Sequence, residues 1–393
     1  MLFEAPELDA REREVITEID RLRQSLRHRL HEPRRWTGSL RRVQFARAVQ
    51  GSNSIEGYEA KLDDAMAIEL GEPALDASVE TSLAIRGYRD AITYVLQLAE
   101  EPNFHFGEQL IKSLHFMMTQ YDLKNRPGRW RSGPIFVQKE ETGEIVYEGV
   151  DVEQINPLMH ELVEHLECEE SLPIVIRAAM AHLNLVLIHP FRDGNGRMAR
   201  CLQTLVLARE GILSPVFSSI EEYLGRNTRA YYDVLAKVGQ GSWRPGNDTR
   251  PWIRFVLTAH LRSAQTMLRR TNEIETLYTE LDRLINRYKL PDRTIDALFD
   301  AAMRMRVRRS VYKAILKNQS GEPVSDQTAT RDLQALANLG LLIAHGERRG
   351  RYYTAGDEIS SIRNSIIGRR VPRDETDPFS VEAGAPVDQA KLF

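Results

Sequence analysis

The sequence predicts a mainly α protein with one small β-hairpin and a distinct basic region near its C-terminus. Three observations predict it. Apolar residues recur at helical spacing through most of the chain. Two β-prone runs, Ile135 to Val137 and Ile145 to Tyr147, flank a Glu141-Thr142-Gly143-Glu144 turn, which is a hairpin signal. Residues 303–353 hold ten Lys/Arg against four acids, a local charge of +6 in a chain whose net charge is -3.

A length of 393 residues, 42% apolar and 28% charged, allows two or three domains with real cores and argues against disorder. The small net charge gives no global pull toward nucleic acid or membrane, so such a role must come from a local patch. Cys168 and Cys201 lack any paired spacing, which excludes a disulfide scaffold or zinc ribbon and is compatible with a reducing cytoplasm. No apolar run approaches ~18 residues, so no membrane partner is expected. The first twenty residues are acidic and helical, unlike a signal peptide.

Taken in order, Val15, Ile19, Leu22 and Leu26 share one face of a helix from about Leu8 to Leu30. After the His31-Glu32-Pro33 break, a second helix runs from about Ser39 into Gly51-Ser52-Asn53-Ser54-Ile55-Glu56-Gly57. Residues 62–98 are helical with a break at Glu72-Pro73, and 106–120 form a further core helix. The loop 124–131 then leads into the hairpin. Pro173 to Ile188, with Ala178, Ala179 and Ala181, reads as helix, and so does Tyr223 to Leu235. A loop from Gly239 to Arg250 precedes 251–288, where two long helices are expected. His160-Glu161-Leu162-Val163-Glu164-His165 looks like a zinc-protease helix but fails on spacing: histidines at i and i+5 lie about 140° apart around a helix. They read as solvated or packing residues.

The richest stretch is His189-Pro190-Phe191-Arg192-Asp193-Gly194-Asn195-Gly196-Arg197-Met198-Ala199-Arg200. A Gly-Asn-Gly turn that opens an apolar-periodic helix points backbone N–H groups at an anion, and the helix dipole adds to that. Arg197 and Arg200, three apart, offer two planar forks from one side of the first turn. His189 has a side chain suited to taking a proton near neutrality, and Asp193 supplies the hard oxygen Mg2+ favours beside phosphates. Gly194 to Ala199 also fits a dinucleotide fingerprint, but that requires a preceding strand, and here a helix precedes it.

This stretch resembles the Fic family (filamentation induced by cAMP), whose signature H-P-F-x-D/E-G-N-G-R-x-x-R is filled at every fixed position. Ser52, Glu56 and Gly57 fit a second family pattern, S/T-x-x-x-E-G/N, which marks an inhibitory helix whose Glu points into the nucleotide site; helix-capping chemistry would supply the same residues. The resemblance implies a Fic-fold helical core, a hairpin flap that clamps the target peptide, and transfer of AMP from ATP to a hydroxyl on Ser, Thr or Tyr of a target protein. It implies ATP and Mg2+ as cofactors, His189 as catalytic base and Asp193 as metal ligand. Nucleotide contacts would come from Val137, Gln138, Lys139 and Glu140, from His189, and from Asp193, Gly194, Asn195, Gly196, Arg197, Met198, Ala199 and Arg200. Tyr231 and Tyr232 would lie against adenine and ribose, with core packing as the rival for either; a family Asn that follows the pair is Gly239 here. Regulation would fall to Glu56. AMP removal, or transfer of another nucleotide or of phosphocholine, is the alternative within the same family.

Toward the C-terminus, a helix at Arg309 to Lys317, a helix opened by the Ser325 N-cap, and β-prone residues 341–343 and 348–353 resemble a winged helix, with its second helix shortened around 320–324. Gln327, Thr328, Thr330 and Arg331 can face a DNA groove; a dimerisation or docking role fits equally, and a DNA-binding regulator with a residual core is the rival outside the enzyme class. The expected organisation is 1–100 N-terminal region with the inhibitory motif, 101–260 catalytic core, 261–300 connecting helices, 301–368 winged-helix-like module, and 369–393 mobile tail. A homodimer is compatible with this reading.

Overall fold

The computed structural model describes residues 1–380 apart from 33, 139–141, 169–171, 210, 212, 348–349 and 373–374. Helix α1 (Ala10–His31) opens with a capping box, Asp9 accepting from the Glu12 amide at 2.8 Å and Glu12 accepting from the Asp9 amide at 3.0 Å. It is followed by α2 (Thr37–Ser54), α3 (Leu62–Glu69), α4 (Val79–Leu98) and α5 (Glu108–Thr119). Strands β1 (Phe136–Gln138) and β2 (Ile145–Glu148) form the antiparallel hairpin, with Val137 opposite Tyr147 and a register shift after Val137. Then come α6 (Val152–Cys168), α7 (Ile174–Ile188), α8 (Asn195–Ala208), α9 (Pro215–Ser218), α10 (Glu221–Arg226), α11 (Thr228–Gly239) and α12 (Arg250–Tyr288).

Residues 251–288 were expected to make two helices, and they make one. Helix α12 runs 39 residues because Pro251 sits in its first turn, where a missing N–H costs nothing, and neither Gly nor Pro interrupts the chain from Trp252 to Tyr288.

The core is built on α7 and α8. Helix α7 is apolar nearly all round and buries Val175, Ile176, Leu183, Leu185 and Ile188, which fits a helix enclosed by neighbours. Those neighbours are α6, α8 and α12, while α8 also packs on α4 and α5. The Trp252 indole ties α12 to α7 by donating to the Ala179 carbonyl at 2.8 Å. An N-terminal strap crosses the same helix, where Asn184 accepts from the Phe3 amide at 2.8 Å and donates back to its carbonyl at 3.0 Å. Helices α2 and α10 touch through their backbones: a Cβ on Gly51 would lie 2.7 Å from the Glu221 carbonyl oxygen, and one on Gly225 2.7 Å from the Gly51 carbonyl oxygen.

The C-terminal region comprises α13 (Ile295–Ala302), α14 (Arg309–Ser320), α15 (Asp326–Asn338), the antiparallel pair β3 (Leu342–His345) and β4 (Tyr352–Ala355), and α16 (Asp357–Gly368). A lone bridge between Val307 and Tyr353 adds a third edge to the hairpin. Residues 321–324 are not helical, so the expected short second helix is absent; α13 precedes α14 and fills out the helical set instead. Ser325 caps α15, accepting from the Thr328 amide at 3.1 Å. The region is fastened to the rest of the chain: Arg306 bonds Asp63 and reaches Asp76 at 2.8 Å, and Val311 and Ile315 pack with Ala67. The described part of the C-terminal tail is also held, with Arg11 donating to the Pro378 carbonyl at 2.7 Å and Arg254 lying 5.2 Å from the Phe379 ring.

Candidate active site

The site forms where α7 ends and α8 begins. His189 closes α7 with a left-handed backbone, φ 54, a conformation more accessible to His than to most residues. Its Nδ1 lies 3.0 Å from the Val186 carbonyl oxygen, which can only accept, so Nδ1 carries the proton and Nε2 keeps a free lone pair. Burial lowers the imidazole pKa, and the Arg131 charge lowers it further against Glu56 and Asp193. The ring is therefore neutral near pH 7, as a base must be.

Asn195 locks the loop between the helices. Its Oδ1 accepts from the Phe191 amide and its Nδ2 donates to the Phe191 carbonyl, both at 2.9 Å. Gly194, φ 75, precedes α8 in a left-handed conformation, and a Cβ there would also strike Thr119 at 2.9 Å. No side chain caps α8, so its first amides face the space in front of the loop, as the sequence led us to expect.

Arg197 and Arg200 are buried, 0% and 1% exposed, and diverge. Arg197 donates to Tyr121 Oη at 3.1 Å, lies 5.0 Å over the Tyr58 ring and pairs loosely with Asp193 at 3.4 Å. Arg200 donates from Nε to Ser52 Oγ at 2.8 Å, and from one terminal nitrogen to the Ser52 carbonyl at 2.9 Å and to Glu56 at 2.6 Å. Burial opposes ionisation of Glu56, but Arg200 and Arg197 outweigh it and hold the carboxyl below its usual range. Gly196 makes the room, since a Cβ there would sit 2.3 Å from Glu56 Oε1.

Glu56 does not lie within α2. The helix ends at Ser54, and the Gly57 and Tyr58 amides return to the Ser54 and Asn53 carbonyls, both at 3.1 Å, with Gly57 at φ 82. This is a Schellman-type ending with glycine in its left-handed place. Capping thus explains Gly57, while Glu56 spends its carboxylate on Arg200.

Tyr231 is 1% exposed, its hydroxyl 2.9 Å from His182 Nε2 and its ring 6.0 Å from the Arg200 guanidinium carbon. Tyr232 is 45% exposed and donates to the Ile55 carbonyl at 3.1 Å, beside Glu56. Met198 and Ala199 are buried in α8; Val137 and Gln138 lie on β1, whereas Lys139 and Glu140 fall outside the described residues. Asp193 keeps 40% of its side chain exposed, and the described residues contain no cluster of three metal-binding groups.

Three supporting residues escaped sequence reading. Arg131 donates to the His189 carbonyl at 2.8 Å and to the Gly133 carbonyl at 2.8 Å, joining the end of α7 to the segment before β1. His115 stacks on Phe191 at 3.6 Å; it accepts from the Gly128 amide at 2.9 Å and donates to the Asp193 carbonyl at 2.8 Å. Burial drops its pKa to about 4. Tyr147 of β2 donates to the Leu187 carbonyl at 2.8 Å and lies so close to Gly239 that a Cβ there would be 3.1 Å from its ring, which accounts for glycine at that position. Arg131 stands in a Pro-Gly loop without periodicity, so its burial left no trace in the sequence pattern.

Residues 105–207 match the Fic/DOC family model. The chain is 27% identical over 289 residues to protein adenylyltransferase fic-1 of Caenorhabditis elegans, covering 72% of this chain and 51% of that protein. With protein adenylyltransferase Fic of Nematostella vectensis it shares 28% identity over 57% of this chain and 48% of the other. The chain thus spans about half the length of the curated relatives it matches. Among solved structures, a Fic family protein from Desulfovibrio desulfuricans superposes with a TM-score of 0.56 at 20% identity, over 90% of this chain and 99% of that one. Fic-1 of C. elegans superposes at 0.51 with 25% identity, over 65% of this chain and 72% of that one.

Proposed function

We propose that this chain, which carries a Fic domain over residues 105–207, transfers AMP from ATP to a Ser, Thr or Tyr hydroxyl of a target protein and is restrained by Glu56. The observation that carries the reading is a neutral His189 with Nε2 free, on the loop that leads into an uncapped helix holding two buried arginines. The target hydroxyl would give its proton to His189 Nε2 as its oxygen attacks the α-phosphorus; the bond from that phosphorus to the bridging oxygen breaks, and pyrophosphate leaves. The first amides of α8 and the Arg197 and Arg200 forks suit the phosphate oxygens, and such transfers rest on positioning and electrostatics.

Asp193 is a fitting Mg2+ ligand, because that ion is commonly held by one or two carboxylates together with substrate phosphates. The bound ion would supply charge neutralisation at those phosphates. Restraint by Glu56 has a direct electrostatic basis: an arginine bonded to a carboxylate at 2.6 Å is unavailable to a phosphate.

The test is to incubate purified Glu56→Gly protein with ATP labelled at the α-phosphate and cell extract, then to locate the modification by mass spectrometry. AMP on a hydroxyl side chain is expected. No transfer by the variant, or transfer of a different group, would overturn the proposal.

A second reading concerns the C-terminal region. Two helices, a Ser-capped third and a hairpin follow one another there, an order that supports a winged-helix reading, with Gln327 and Arg331 exposed on the first turns of α15. DNA is the partner this face suits, and salt-dependent binding to a defined duplex that is lost in Gln327→Ala/Arg331→Ala would establish it.

A further inference from the structure

Away from the His189 site, five elements enclose a cavity of about 250 Å³ whose walls are dominated by arginine. Arg47 comes from α2, Arg226 from α10, and Arg269 and Arg270 from α12. Arg304 follows α13, Arg363 belongs to α16 and Arg370 lies just past its end. Two carboxylates serve six of them. Glu222 meets Arg270 at 2.5 Å, Arg226 at 2.6 Å and Arg47 at 3.3 Å. Glu273 meets Arg370 at 2.7 Å and stands 3.7 Å from Arg269 and 3.9 Å from Arg363. Seven cations against two anions leave a large positive excess around a small space.

The groups left without partners are all donors. Gln44 is 4% exposed and lines the cavity; its Oε1 accepts from Arg270 at 2.8 Å, which fixes the amide orientation and leaves Nε2 a buried donor with nothing to meet. Arg47 Nε and one terminal nitrogen of Arg363 are likewise buried without a hydrogen bond, the latter 3.9 Å from Glu273. Burial, then the Arg270 charge, lowers the Arg47 pKa to about 10, and burial outweighs the help Arg363 receives from Glu273. Buried donors without acceptors are costly, and clustered like charges add to that cost.

We infer that this cavity binds a compact polyphosphate anion, either inorganic di- or triphosphate or the polyphosphate end of a nucleotide. The several acceptor oxygens of such an anion match the unpartnered donors, its multiple negative charge matches the excess, and guanidinium forks suit phosphate. A space lined by five elements suits a small anion better than the long backbone of a nucleic acid.

The test is calorimetric titration of inorganic triphosphate, without Mg2+ and at fixed ionic strength, into three full-length proteins: wild type, Arg304→Ala/Arg363→Ala, and the active-site variant Asp193→Ala/Arg197→Ala. Saturable binding should survive in the active-site variant and weaken about tenfold or more in the cavity variant. Tighter binding of ATP than of triphosphate by the active-site variant would assign the nucleotide as source; equal affinity would assign the inorganic anion. Hydrogen exchange on the wild type gives a reading independent of variant folding, and added triphosphate should protect the α2 and α16 segments around Arg47 and Arg363. Undiminished binding in the folded cavity variant, loss only in the active-site variant, or exchange protection confined to α8 would overturn the inference. So would affinity for single-stranded oligonucleotides that grows with length and displaces triphosphate.

Discussion

At the end of α2, Arg200 meets Ser52 at 2.8 Å and Glu56 at 2.6 Å; earlier on the same helix, Arg47 lines a cavity where six of seven arginines share Glu222 and Glu273. Both places concentrate guanidinium groups, and they settle the charge differently. At the first, a carboxylate of the chain itself neutralises the arginine from a short turn. At the second, the chain supplies too few carboxylates for its arginines; buried donors go unmatched at both, Arg197 Nε and one terminal nitrogen of Arg200 at the first, Arg47 Nε and Gln44 Nε2 at the second. A one-to-one pair suits the proposed gating, whereas an excess of arginines over carboxylates suits an outside anion.

The largest effect should come from the base beside the first cluster. His189→Ala should cut transfer by ~10² to 10⁴ while ATP binding persists, because in the proposed reaction the imidazole takes the proton of the incoming hydroxyl. Near wild-type labelling would remove His189 from the mechanism. Next comes the pair itself. Glu56→Gly should raise transfer roughly 10- to 100-fold, the worth of one charge-assisted hydrogen bond to a buried arginine. Arg200→Ala should stay slow with or without Glu56, since it discards the fork along with the restraint. If Glu56→Gly merely lowers the thermal midpoint and leaves transfer unchanged, the contrast drawn above collapses into a structural contact.

A smaller effect tests how firmly the loop is held. His115→Leu strands the Gly128 amide and the Asp193 carbonyl and should cost about 2–4 kcal/mol in denaturant unfolding. Its folded pKa, about 4, lies below the ordinary value of 6.5. The neutral ring therefore contributes stability that is complete above pH 6.5 and is lost as the pH falls toward 4. The variant should flatten the stability profile in that window, and an unchanged profile would show that His115 does not govern it.

The smallest effect contrasts the two clusters directly. Arg200→Ala leaves Glu56 partly buried without its partner and should destabilise. Arg304→Ala thins an excess of positive charge and should stabilise by a few tenths of a kcal/mol at low salt, fading as salt is added. Destabilisation by Arg304→Ala at low salt would mean that the cavity is not overcharged.

Much of this was legible in the sequence, for reasons that differ by region. The helices around Val15 to Leu26 and Pro173 to Ile188 announced themselves by periodicity, the hairpin by its turn, and the loop from His189 to Arg200 by the density of functional groups within twelve residues. Continuity of α12 could have been read from the absence of Gly and Pro beyond Pro251. The fastening of the basic C-terminal region could not: Arg306 meets Asp63 and Asp76 from more than two hundred residues away. For the same reason a local charge count presented residues 303–353 as a detachable unit. The arginine cavity was equally hidden, because its walls come from five elements and none contributes more than two arginines.

The backbone contact between Gly51 and Gly225 has a bearing on how the Glu56 carboxylate would let go. Two helices separated by side chains can roll over a compliant layer; here the α2 and α10 main chains touch with nothing between them, and even a methyl would collide at 2.7 Å. Helix α2 is thereby a fixed post. Motion of the glutamate is confined to the few residues past Ser54, where Gly57 supplies the only left-handed pivot and Tyr232 holds the Ile55 carbonyl at 3.1 Å. Under the proposed restraint, release would be the swing of a short turn, on the nanosecond-to-microsecond scale of loops rather than the slower scale of shifting helices.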